Sequence, residues 1–160
     1  MNRLEEKIVI HDFPAWREKA NFIIGANLTS QGLSDLATSE QIWARQIKAD
    51  VFEICCIPFF AYGFALGDWV ITRDDGDDKY IINSVLERKG HTTYRLFLPS
   101  NEETNAIIDE IISLECLVEV RWRKSRLIAI DAPHQSAKHS LETFLLSVKQ
   151  KTGAECEIAD

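Results

Sequence analysis

The side chains best suited to chemistry are four cysteines, four histidines and one dense run of carboxylates. Cys55 and Cys56 are adjacent. On a strand, neighbours point to opposite faces, so one thiol of such a pair could be exposed and the other buried. A nucleophilic thiol needs a lowered pKa, from a helix N-terminus or a cationic neighbour. Here Ile54 and Ile57 flank the pair, and an apolar setting raises the pKa instead. Cys116 and Cys156 form no CxxC with another cysteine, and no histidine pair stands at zinc-finger spacing. All four read as buried small hydrophobes of a reducing compartment.

His134 and His139 are five residues apart, a poor metal spacing, and no HExxH exists. With His11 and His91 they read as surface or capping residues. Gly90-His91-Thr92-Thr93 with Arg95 is the one compact polar cluster holding a group that titrates near neutral pH. An enzyme reading would start there, or at Cys55. Gly63-Phe64-Ala65-Leu66-Gly67-Asp68 carries two glycines but no following Lys-Ser/Thr, so it is not a phosphate loop. Gly67-Asp68 reads as a turn that launches a strand, with the aspartate bonding neighbouring amides. Phe59, Phe60, Tyr62, Phe64 and Trp69 then fill a core or line a groove. No cofactor and no metal is expected.

Asp74, Asp75, Asp77 and Asp78 place four carboxylates in five residues. A calcium loop of the EF-hand kind needs a closing Glu at position twelve, and counting from Asp74 that position is Val85. The run is therefore either a solvated turn or an acidic knob that docks on a cationic cleft by imitating phosphate spacing. Glu102, Glu103, Asp109 and Glu110 add a second acidic surface. Glu119, Arg121, Arg123, Lys124 and Arg126 surround Trp122 as a basic hairpin. Exposed aromatics on such a sheet can stack on RNA bases, but Tyr94 and Phe97 fall on opposite faces and no RNP-type run is present.

Composition narrows the classes. The chain has 160 residues and a formal net charge of −7, from 25 acidic and 18 basic side chains. That balance opposes non-specific nucleic-acid binding, which needs cations to displace counterions. It suits a basic partner, because opposite fields raise the association rate. No apolar run approaches the roughly 20 residues that span a bilayer, and the start, MNRLEEKIVIHDF, lacks a signal-peptide core. A cytoplasmic location is expected.

The elements that must position these residues fall into two halves, 1–90 and 91–160. The first reads as a small curled sheet or partial barrel. Its candidate strands are Lys7–His11, Phe22–Leu28, Ile42–Ile47, Val51–Ile57, Asp68–Thr72 and Tyr80–Leu86. Gln31–Gln41 is a loop or one short helix. In the second half, Tyr94–Leu98 alternates as a strand and Pro99 ends it. Ser100-Asn101-Glu102-Glu103 has the form of a capping box, and Ile107, Ile108, Ile111 and Ile112 follow at helical spacing. Leu117–Trp122 and Arg126–Asp131 form a hairpin pattern. Ser136 is placed to cap a second helix with Leu141, Phe144, Leu145 and Val148 on its apolar face. Lys149 and Lys151 suit its C-terminal end, and Gly153 its left-handed stop. Glu155–Ile158 alternates as a last strand. The order βαββαβ predicts a ferredoxin-like antiparallel sheet with both helices on one face, so the class is α+β.

Several short motifs then occur in order. They are Glu40-Gln41-Ile42-Trp43-Ala44, Ile57-Pro58-Phe59-Phe60 running on to Gly67-Asp68-Trp69-Val70, Gly90-His91-Thr92-Thr93-Tyr94-Arg95, and Leu127-Ile128-Ala129-Ile130-Asp131-Ala132-Pro133. Together they resemble a bacterial domain-of-unknown-function family, number 4265, from about residue 40 to the C-terminus. Trp69 departs from the smaller residue usual after Gly-Asp. The resemblance carries no established reaction. It implies a small cytosolic bacterial domain of a kind often found beside secreted toxins as an immunity protein. The expected function is therefore an immunity protein that occludes the basic active site of a cognate toxin domain, such as a nuclease. Its contacts are expected from Asp74, Asp75, Asp77, Asp78, Glu102 and Glu103. The alternative is a ligand-binding or regulatory module with a pocket near Phe59–Trp69.

Overall fold

In the computed structural model, residues 8–33, 37–76, 80–121 and 126–159 are described, and they build two sheets and two helices. The first sheet contains β1 (Ile8–Val9), β2 (Phe22–Asn27), β3 (Ser39–Lys48), β4 (Val51–Ile54), β5 (Trp69–Arg73) and β6 (Ile81–Glu87). Their order is β1-β3-β2-β6-β5-β4, and β3 also pairs with β4. Strands β2 to β6 therefore close into a ring, with β1 lying parallel on one edge of β3. Consecutive antiparallel strands alternate in direction. In a ring of five, the first and last must run the same way, so one join has to be parallel. That join is β2–β6, and it consists of the single pair Gly25↔Ile81. A Cβ at position 25 would lie 3.0 Å from Ile81 Cδ1, so a larger residue there would make the Ile81 side chain shift.

Alternation along β3 buries Glu40, Ile42 and Ala44. Ile42 and Ala44 join Ile24, Leu28, Phe52, Ile54, Ile57 and Leu66 in the barrel core. Two expected strands are shorter than their sequence patterns. Among the described residues only Ile8–Val9 of the first pairs, and the chain leaves the sheet after Ile54, so Cys55 to Asp68 form a long, mostly buried loop.

The second sheet holds β7 (Thr92–Phe97), β8 (Leu117–Arg121), β9 (Leu127–Ala132) and β10 (Glu155–Ile158), with helices α1 (Thr104–Ser113) and α2 (Gln135–Thr152). The order β10-β7-β9-β8 is antiparallel throughout. This is the ferredoxin-like arrangement. Both helices pack on the face carrying Tyr94, Leu96, Ile128 and Ile130. The opposite face carries Thr93, Arg95, Ala129, Asp131 and Glu119, and Leu127 and Ala129 belong to the barrel's core. The sheet is covered on both sides, which is why β9, LIAIDA, is buried at every position.

Two helix starts differ from expectation. Helix α1 begins at Thr104 behind Glu103, with no side-chain cap. Ser100 lies too far back for its hydroxyl to reach the first amides, so the capping box does not form. Helix α2 is capped by His134 rather than Ser136: its Nδ1 accepts the Ala137 N–H at 3.1 Å. The C-terminal end matches the sequence pattern, with Gly153 at φ 74° and Lys149 and Lys151 in the last turn.

Candidate functional site

The long loop between β4 and β5 carries backbone groups into the interior, where each needs a partner. Acidic side chains from both halves supply the acceptors. Glu40, fully buried on β3, accepts the N–H groups of Phe59 at 2.5 Å, Phe60 at 3.2 Å and Ala61 at 2.9 Å. Glu119, on β8, accepts those of Ile57 at 2.5 Å and Ala15 at 3.2 Å. His11 joins the two carboxylates, with Nε2 3.0 Å from Glu40 and Nδ1 2.7 Å from Glu119. Its ring stacks on Phe59 at 4.5 Å.

Both ring nitrogens face carboxylate oxygens, and only an imidazolium donates from both. Burial alone would lower the His11 pKa, but Cys56, Glu119 and Glu40 around it outweigh burial and hold it well above its ordinary value. The thiol of Cys56 is itself pushed up by burial, so the two carboxylates are the source of the field. Burial likewise opposes ionisation of Glu40, yet His11 and the loop amides keep its pKa below the usual value. The side chains of His11 and Glu40 are wholly inaccessible, which leaves no room for a substrate.

Arg95 grips the same loop from the ferredoxin-like sheet. Its guanidinium donates to the carbonyl of Phe60 at 3.0 Å, to that of Ala61, and to Glu157 at 3.2 Å. It lies 4.7 Å over the Tyr62 ring, whose hydroxyl donates to Glu157. At the loop's exit Gly67 adopts φ 86°. Asp68 accepts the N–H groups of Ala65 and Lys89, each at 2.9 Å, as the turn composition predicts. Close by, His91 Nδ1 lies 2.7 Å from Asp131 Oδ2. The hydrogen bond to Asp131 raises the His91 pKa, while burial raises that of Asp131 against the pull of His91. The edge of Trp16 closes over His91. Glu40, Phe59, Asp68, His91, Arg95 and Asp131, spread through the ordered motifs of the sequence, thus all bear on the loop or its borders.

Cys55, Cys56 and Cys116 are buried, as read from the sequence, while Cys156 is partly exposed. Cys55 and Cys56 are both buried, because the strand ends at Ile54 and the chain turns inward, where the Trp16 N–H bonds to the Cys55 carbonyl at 3.0 Å. Burial, then Glu53, pushes the Cys55 thiol up to about 12, and burial pushes Cys116 up to about 11. His11 is neither a surface nor a capping residue. The signal for Glu40 was present in its phase with Ile42 and Ala44. Glu119 and the partner of His11 had no comparable signal, since they meet across more than 100 residues of chain.

The aromatic and basic residues of the second sheet do not form an open stacking face among the described residues. Tyr94 faces the helices, Arg121 lies over the Phe60 ring, Glu119 is inside, and the barrel covers the open sheet face. Trp122, Arg123 and Lys124 lie outside the described residues. Of the acidic partner-binding candidates, Asp74 and Asp75 are exposed in the turn after β5, where Asp74 accepts the Gly76 N–H at 2.8 Å. Asp77 and Asp78 lie outside the described residues. Glu102 and Glu103 are exposed just before α1, beside a shallow pocket that Lys151 also lines. No described contact joins the two acidic groups, which sit on different halves. The corner of the Phe59–Trp69 segment, Tyr62 to Phe64, where Tyr62 and Gly63 are partly exposed, borders a cavity of about 670 Å³. Among the described residues, no cluster of three metal-ligating side chains occurs, and no helix is long and apolar enough to cross a membrane.

Fold and site together define an α+β protein in which a small barrel docks on a ferredoxin-like sheet through a loop clamped by buried charges. The chain belongs to the family described as Domain of unknown function (DUF4265), whose model matches residues 40–156. A solved structure, that of a hypothetical protein from Neisseria gonorrhoeae, shares the fold at a TM-score of 0.62 and 15% identity. The match covers 99% of this chain and 96% of that one. No curated protein matches.

Proposed function

We propose that this protein is a cytoplasmic immunity protein, which binds a cognate bacterial toxin domain and occludes its basic active site. The observation that carries the reading is the fate of the reactive side chains. His11, Glu40, Glu119, Cys55, Cys56 and Asp131 are all buried, and the carboxylates and His11 hold the fold together. What a partner meets instead is a net-acidic chain with Asp74, Asp75, Glu102 and Glu103 exposed. Such carboxylates make charge-assisted bonds to Lys and Arg and speed encounter with a basic cleft. The test is co-expression with the product of the gene directly upstream. Protection of the host and a co-purified complex are the expected result. Neither protection nor complex overturns the reading.

A second reading is supported by the cavity of about 670 Å³ at Tyr62–Phe64, whose size falls within the range of small-molecule sites. A ligand-binding module predicts a thermal upshift with at least one metabolite of a broad panel. A flat response across the panel removes that reading.

A further inference from the structure

The weakest join of the barrel, β2–β6, also borders a cavity. β6 pairs with β5 from end to end, with two register shifts. Such bulges twist a strand away from its other neighbour. Toward β2 it keeps only the Gly25↔Ile81 pair, so residues 82–87 have no strand partner on that edge among the described residues. The cavity of about 670 Å³ opens in this split, between Ala26–Asn27 of β2, Ile82–Leu86 of β6 and the Tyr62–Phe64 corner. Six residues of strand edge span roughly 20 Å, at about 3.3 Å per residue. Unpaired strand edges are templates for another strand. One wall already imitates such pairing: the Gln31 side-chain amide exchanges two hydrogen bonds with the Tyr62 backbone, at 3.0 and 3.2 Å.

The charge of the lining is opposite to that of the chain. In a protein of net charge −7, no carboxylate lines this groove among the described residues, but Arg73 and Arg88 both do. Arg88 is held to the Gly63 carbonyl at 3.2 Å and approaches Asp68 at 3.9 Å. Arg73 is exposed at the end of β5 and makes no ion pair among the described residues. Leu86, half exposed, and Ile82 and Val85 offer apolar contacts between the polar ones.

We infer that the split between β2 and β6 captures an extended peptide segment of a protein partner, which adds a strand to β6 and places a carboxylate side chain on Arg73. This rests on the reading of the protein as a partner-binding protein, but not on the partner being a toxin. Backbone pairing supplies affinity and the Arg73 contact supplies selectivity, as in other strand-addition modes. Asp74 and Asp75, next along the chain, are exposed beside Arg73.

The test uses the full chain, isotope-labelled, and a panel of capped seven-residue peptides alternating Val or Thr with Glu, beside matched Lys peptides and free glutarate. Glu peptides are expected to shift the amide signals of Asn27 and residues 82–87 and to slow their hydrogen exchange. Lys peptides are expected to bind about three- to tenfold more weakly, the range of a partly screened charge-assisted contact. Arg73→Ala should erase that preference and Arg73→Glu should reverse it, each with an unchanged urea midpoint because the residue is exposed. A panel without binding, binding away from residues 82–87, or equal affinity of Glu and Lys peptides overturns the inference. So does glutarate alone giving the same exchange protection, which would assign the groove to small anions. Failure of toxin protection with intact peptide capture counts against the toxin reading only.

Discussion

Replacing Glu40 by alanine removes four contacts at once. Three loop amides, of Phe59, Phe60 and Ala61, lose their acceptor, and His11 loses one of its two carboxylates. Each buried amide left unpaired costs about 1–3 kcal/mol. Against that, removing the carboxylate also removes its own burial penalty. Breaking one side of a buried charged pair costs about 3–5 kcal/mol in net terms, which is a large share of the roughly 5–15 kcal/mol that holds a domain folded. With a urea slope of about 2 kcal/mol/M, the midpoint should fall by about 2 M. Glu40→Gln keeps the shape and one acceptor oxygen, so it should lose less but still above about 2 kcal/mol. The double variant Glu40→Gln/His11→Gln should be non-additive by more than about 1 kcal/mol, because the pair acts as a unit. The pH profile carries the same signature. Glu40 has a folded pKa below its ordinary 4.5, so its contribution is present above that value and is lost as pH falls through the lowered one. His11 has a folded pKa above its ordinary 6.5, so its contribution is present below 6.5 and is lost as pH rises through the raised value. Wild-type stability should therefore crest between the two, and Glu40→Gln should flatten the crest. Single variants within about 1 kcal/mol of wild type, with an additive double variant, would refute the clamp.

Three further outcomes follow from the same interior. Arg95→Lys loses the planar fork that reaches the Phe60 and Ala61 carbonyls together, and chemical denaturation should show a loss of about 2–4 kcal/mol. Gly67→Ala combines a left-handed φ of 86° with a Cβ placed 3.2 Å from Trp16 and 3.3 Å from His91; it should cost about 1–3 kcal/mol and move the His91 ring signals in NMR. Alkylation of the folded protein at pH 8 should modify Cys156, which is partly exposed, well before Cys55, Cys56 or Cys116, read by peptide mass spectrometry.

Fold was legible in the sequence wherever pattern is local. The βαββαβ order, the Gly153 stop and the Gly67-Asp68 turn rest on neighbouring residues, and the structure contains all of them. The barrel's closure was less so, because the β2–β6 join depends on one glycine meeting one isoleucine 56 positions away. Caps shifted because α1 starts four residues after Ser100 and α2 starts one residue before Ser136, which lies inside the helix. The charged interior was hardest. Glu40, Glu119 and Arg95 look like surface residues by type; strand phase points Glu40 inward, but it places Glu119 and Arg95 on the sheet face away from the helices, which is buried only because the barrel covers it. What satisfies them is a loop whose apolar side chains suggested a core and whose backbone needs were invisible. The acidic run at Asp74 and Asp75 was legible as an exposed turn, but composition gives no indication of what it meets.

We propose that binding a partner is the work of this chain and that exposed carboxylates direct it. The most direct measurement is the affinity of the upstream gene product for the wild-type protein and for the variant Asp74→Lys/Asp75→Lys/Glu102→Lys/Glu103→Lys, titrated at two salt concentrations. The account predicts a stable complex that weakens with salt, and at least a tenfold loss of affinity in a variant that remains folded, about 1.4 kcal/mol. An affinity unchanged by the four reversals, or no complex at all, would contradict it.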